Sequence, residues 1–177
     1  PVYVDLSDLG SGFWSNVQDG GADIRVTADD GMTEVAREVV TASAGTQTGE
    51  LYFKAGSLSS TTDTTFYVYY GNSSASDYAD SDTYGANNVW TNSFTGVWHF
   101  NDETSTTIKD STSGNYTGTK GASTAASTQT TSPIGYAQIC DGNDYIDFGD
   151  VLDAGSNNWS IETWYQPTAV GTANNGI

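Results

Sequence analysis

The chain has one histidine, His99, so a serine-histidine-aspartate triad can exist only through it, and no histidine cluster can hold a metal. No G-x-S-x-G turn presents a nucleophile anywhere in the sequence. His99 alternates with Trp98 and Phe100 in Val97-Trp98-His99-Phe100-Asn101, which reads as a structural histidine on a strand. Retaining glycoside hydrolysis needs two carboxyls about 5 to 5.5 Å apart, and no E-x-D-x-x-E run supplies them. Glu103 and Glu162 each stand alone and read as solvated carboxylates. The chain is therefore read as no enzyme.

Hard cations want several oxygens, and acidic groups occur at Asp29-Asp30, Asn101-Asp102-Glu103 and Asp141-Asn143-Asp144. None has the spacing of an EF-hand loop, and acidic loops also serve solubility. Sugar contact needs an exposed ring for the C–H face and planar polar groups for the hydroxyls. Trp14, Tyr84 and Trp90 lie in loop-like contexts and are the candidates for glycan binding. Trp98, Trp159 and Trp164 sit in strand-like alternation and read as core. Sequons at Asn72, Asn115 and Asn158 stand beside turns, at a frequency that a Ser/Thr-rich chain produces by chance.

The elements that must position these residues are strands. Charged residues make up only 15% of the 177, so Ser, Thr, Asn and Gly carry the polar surface, as β-turns and exposed strand faces require. A 12% aromatic content argues against disorder. Five basic residues against 22 acidic ones give a formal charge of −17, which repels nucleic acid and anionic membranes. No apolar run approaches the length of a membrane span. Cys140 is alone, which excludes an intramolecular disulfide, and its apolar neighbours suggest a buried small hydrophobe. For an exported protein, Pro1 would begin a mature or trimmed chain.

Val2, Val4 and Leu6 alternate with polar partners on a first strand, after which Phe13-Trp14 falls in a loop. Short strands follow at Ile24-Arg25-Val26, Thr33 to Val40 and Leu51 to Lys54, with a turn at Asp30-Gly31. Thr64 to Tyr70 has Phe66, Val68 and Tyr70 on one face and Tyr67 and Tyr69 on the other, as a central strand or one carrying a tyrosine ladder under a neighbour would, with Phe66 and Val68 in the core. Residues Ser73 to Asn88 read as a connector, and Thr117 to Ser132 as a long loop or irregular edge. Gln138 to Asp150, QICDGNDYIDFGD, reads as a hairpin turning at Asp141-Gly142.

This last stretch, with Pro133-Ile134-Gly135 before it and Trp159 to Pro167 after it, resembles the opening part of a laminin-G-like, concanavalin A-like lectin domain. Trp98 to Glu103 and Asp110 to Asn115 resemble that family's opening, although Cys140 stands where the family usually has Phe. Calcium near the loops of such domains makes Asp102 and Asp110 the metal candidates that the resemblance implies. Upstream, VDLSDLGSGFWSNV, GADIRVTADDG and TGELYFKAGSLSSTTDTTFYVYYGN resemble a surface-domain family of unknown function from bacteria, archaea and viruses. The expectation is an all-β chain of two tandem, jelly-roll-like β-sandwich modules, residues 1–88 and 89–177. The second is expected to be incomplete at Ile177, closed by further chain or by strands from a neighbouring subunit.

The functional expectation is a non-enzymatic structural or adhesive protein, extracellular, on a cell surface or in a virion, with copies of itself or neighbouring subunits as partners. The alternative is a carbohydrate-binding module of a larger secreted protein, in contact with glycans and with calcium as its candidate cofactor. A polysaccharide hydrolase would need its active residues beyond Ile177.

Overall fold

A computed structural model describes residues 1–102, 106–121, 127–140, 143–153, 155–156 and 158–167. The chain is all-β, in small antiparallel sheets with short helical turns between strands. Strand β1 (Val2–Asp5) alternates half-buried valines with exposed Tyr3 and Asp5. A single 3-10 turn at Leu6–Asp8 then buries Leu6, and its first backbone donor is satisfied by Asp5, whose Oδ1 accepts from the Ser7 N–H at 2.9 Å. Helix α1 (Ser11–Trp14) tucks Phe13 and Trp14 inward; the expected open loop is one helical turn because these two rings gain burial by closing it.

The first sheet has the order β1, β5 (Thr48–Phe53), β4 (Arg37–Ser43), with Val4 opposite Leu51 and Leu51 opposite Val39. A bulge between Val39 and Thr41 shifts the register of β4. Gly49 lies so close to β4 that an added Cβ would meet the Thr41 carbonyl at 2.7 Å, so no larger residue fits. The second sheet has the order β3 (Glu34–Val35), β2 (Arg25–Thr27), β6 (Tyr67–Tyr69). The β2–β3 turn is tied by Asp30, which accepts from the backbone N–H groups of Met32 and Thr33 and from the Thr33 hydroxyl. The two sheets meet on one apolar core of Leu6, Phe13, Trp14, Ile24, Val26, Leu51 and Phe53, against which Phe66 and Val68 pack partly buried. Strand β6 is an edge strand, where a central one was expected, because only β2 pairs with it.

Beyond residue 88, β7 (Thr107–Ile108), β8 (Gly118–Gly121) and β11 (Tyr145–Asp147) form a sheet with β8 in the middle. Strands β9 (Thr128–Thr131) and β10 (Tyr136–Ile139) form a hairpin. The expected hairpin across Asp141-Gly142 is therefore corrected: β10 pairs with β9 and β11 with β8, and the two turn residues lie outside the described ones. The Thr/Ser-rich stretch 117–132 is likewise no simple loop, since it supplies the whole of β8 and β9. Cys140 is exposed, not buried. Trp159 and Trp164, expected in a core, are 65% and 68% exposed on a segment without strands. No helix among the described residues is long and apolar enough to cross a membrane.

Among the described residues no strand pairing crosses residue 88, yet the two parts are in contact. Ala36, Val89 and Trp90 form a second apolar cluster with Tyr52 and Val97 against it. Asn101 donates through Nδ2 to the Val40 carbonyl at 2.8 Å, and Lys109 pairs with Asp80.

Candidate functional site

The first sheet turns Leu51 and Phe53 toward the apolar core and therefore turns Glu50 and Tyr52 the other way. Register sets Tyr3 and Glu38 on either side of Tyr52, so this second face carries two rings and two carboxylates. It is covered by the segment that follows residue 88.

Glu38 is the centre of that cover. Its Oε2 accepts from Trp90 Nε1–H at 2.6 Å and faces His99 Nε2 at 3.2 Å, while its Oε1 accepts from the Ser111 hydroxyl at 2.6 Å. Burial raises the Glu38 carboxyl, but the His99, Ser111 and Trp90 contacts together outweigh it and hold the group below its ordinary value. An ionised carboxylate only accepts, so His99 carries a hydrogen on Nε2 and is not available as a base through that nitrogen. The rings of Tyr52 and Trp90 flank the imidazole at 5.1 and 5.6 Å. Ser111 bonds to the acid, not to the histidine, so the nucleophile-to-base link of a triad is missing. This constellation fastens residues 90, 99 and 111 to β4.

Glu50 lies on the same face with the opposite balance. It is 7% exposed, the Gly135 backbone packs directly on its carboxylate, and burial, with Asp5 adding to it, pushes it above the ordinary value despite His99. Between the two acids the Tyr52 hydroxyl is pushed up to about 12, by burial first and then by Glu50, Tyr3 and Glu38.

Both metal candidates are engaged in bonds within the chain. Asp110 is 2% exposed and its carboxylate accepts from four donors: Val97 N–H and Thr112 N–H at Oδ1, and the Thr112 hydroxyl and Tyr116 N–H at Oδ2, each at 2.9 Å. That fills its acceptor capacity and makes it the tie of the loop before β8. Asp102 accepts from Lys109 N–H, and the Lys120 ammonium already sits on its backbone carbonyl. Glu103 and Asp141 lie outside the described residues. Among the described residues no group of three or more His, Cys, Asp or Glu could hold a metal ion.

The glycan candidates divide. Trp14 is 4% exposed in the first core, and Trp90 is 7% exposed with its N–H given to Glu38, so neither is a platform. Sequence context marked them as loop residues, but large rings in short turns fold inward where a core or a buried acceptor receives them. Tyr84 is half-buried and lines an open groove of about 270 Å³ with Glu34, Val35, Lys54, Thr83 and Asn88. A second groove, of about 260 Å³ beside Tyr69 and Tyr70, holds Asp23 and Arg25. Asp23 is consumed by the N–H groups of Gln18 and Gly71, and Arg25 by the carbonyls of Ala22, Ile24 and Ser76. The sequon residues Asn72, Asn115 and Asn158 are all exposed.

The Glu38 constellation was not foreseen. Its members are 52 to 73 residues from Glu38, and the one local signal is a charged residue between Arg37 and the apolar pair Val39-Val40. No protein-family model, no curated protein and no solved structure matches the chain.

Proposed function

We propose that the chain is a non-enzymatic structural or adhesive part of an extracellular, cell-surface or virion assembly, built of two β modules and in contact with copies of itself or neighbouring subunits. The observation that carries this reading is the use of the acid and base groups as fasteners. The single histidine is locked to Glu38, Ser111 is bonded away from it, and Asp110 is saturated by loop donors. A triad chemistry would leave at least one of them aimed at open space.

A contact surface accompanies this interior. Tyr67, Tyr69 and Tyr70 are 46%, 47% and 43% exposed on and just after an edge strand, and tyrosine gives interfaces a large, rigid and amphipathic contact at low entropic cost. The test is sedimentation of the purified chain over a wide concentration range, with electron microscopy of the concentrated material. Self-association that a Tyr67→Ser, Tyr70→Ser double variant weakens is the expected result. A monomer at every concentration, with no ordered assemblies, overturns the reading.

A further inference from the structure

We propose that the groove between β3, the end of β5 and the turn at residues 83–88 binds one neutral sugar ring. This names a ligand for an adhesive surface without resting on self-association, because the whole groove belongs to one chain.

Its walls are fixed by bonds that leave chemistry pointing outward. The Tyr84 carbonyl accepts from Arg37 N–H at 3.0 Å, and its ring lies 5.8 Å from that of Tyr78. Asn88 gives its Nδ2–H to the Asp82 carbonyl at 2.8 Å, which orients the side chain and leaves Oδ1 as an acceptor. Glu34 accepts from Tyr78 O–H through Oε1 and stands 3.6 Å from Arg25, so its second oxygen remains as an acceptor. Lys54 supplies the donor. Of the five basic side chains, Arg25, Arg37 and Lys109 are in ion pairs and Lys120 is on a carbonyl, whereas the Lys54 ammonium makes no ion pair or hydrogen bond among the described residues.

An aromatic wall, one donor and two acceptors suit a ligand whose groups both donate and accept and whose C–H face is apolar, as a sugar ring's are. An anionic ligand would meet Glu34 and the field of a chain at −17, and a cationic one would meet Lys54. A volume of about 270 Å³ is at or below the lower end of small-molecule sites, enough for one ring and not for an oligosaccharide. The neighbouring groove beside Tyr69 has rings of the same kind, but its Asp23 and Arg25 are spent on the backbone.

The experiment is saturation-transfer NMR on the full chain with the methyl glycosides of glucose, galactose, mannose and N-acetylglucosamine at millimolar concentration, with glucuronate and glucosamine as charged comparisons. The expected result is transfer to one face of a neutral ring, above that to either charged sugar. Tyr84→Ala and Lys54→Met should each weaken binding about three- to tenfold, while Tyr84→Phe retains it. If Tyr84→Ala fails to fold, Lys54→Met and Tyr84→Phe decide. Absence of transfer to every neutral glycoside, tighter binding of a charged sugar, or transfer indifferent to Lys54→Met overturns the proposal.

Discussion

The sheet β1-β5-β4 buries both of its faces, and the two are built on different physics. One face meets the second sheet through Leu6, Leu51, Phe53 and Val26, a dry, mainly apolar contact whose one buried cation, Arg37, gives its Nε–H to the Ile24 carbonyl. The other meets the segment after residue 88 through Tyr52, Glu38 and Glu50, where burial of a polar group is costly unless it has a partner. Glu38 has three, whereas the Glu50 carboxylate makes no hydrogen bond or ion pair among the described residues, which sets their carboxyls on opposite sides of the ordinary value. The dry face resists change by volume, and the wet face by charge and bond count.

The largest expected effect is on the dry face. Leu51→Ala should lower stability by about 2 to 5 kcal/mol, the range for an emptied core site, and by the same amount across the acid range, because no titrating group is involved. Chemical denaturation at several pH values measures it. A loss that varied with pH would erase the distinction between the faces.

Next comes Glu38→Gln, expected to cost about 1 to 3 kcal/mol at neutral pH. The amide keeps the shape, but one of its ends now donates toward groups that themselves donate. Ser111→Ala added to it should cost less than it does alone, since the two share one network. Strict additivity would mean that Glu38 and Ser111 act separately and that the cover over this face is held by its apolar cluster alone.

How far this was legible in the sequence differs between the faces. Alternation in Val2 to Leu6 and in Leu51 to Lys54 revealed the dry face directly, because apolar residues at every second position announce which side is buried. The same alternation placed Tyr3, Glu50 and Tyr52 on the far side, where the cover comes from residues 52 to 73 positions away from Glu38 and follows no local pattern. Trp90 was misread for that reason: its loop context was visible and its buried acceptor was not. The hairpin at Asp141-Gly142 failed differently, since a turn signal is local while β10 and β11 each found a partner elsewhere. The partial exposure of Tyr84 was legible because a connector between strands stays near the surface.

The smallest effect separates the two acids of the wet face. Glu38 is held below its ordinary value of 4.5, so the stability it contributes is present above that value and is lost as pH falls through the lowered one. Glu50 is held above the same value, so its contribution is present in acid and is lost as pH rises through the raised one. The two are jointly greatest near the ordinary value of 4.5, since below it the Glu38 contribution falls away and above it the Glu50 contribution does, so together they favour the acid side of neutrality. Glu50→Gln removes the charge that burial and Asp5 oppose, together with its pull toward His99, and keeps the contact with the Gly135 backbone. The variant should therefore melt about 1 to 3 °C higher than the parent at neutral pH and no higher well below pH 4.5, where the parent's Glu50 is already neutral. Taking the difference between the two proteins cancels the general repulsion of a chain at −17, which acts on both nearly alike. Thermal melts of both proteins at matched ionic strength from acid to neutral pH measure the difference. A variant that is less stable at neutral pH would show that the Glu50 carboxylate is a net favourable partner of His99, and the two acids would then be one network with a single sign.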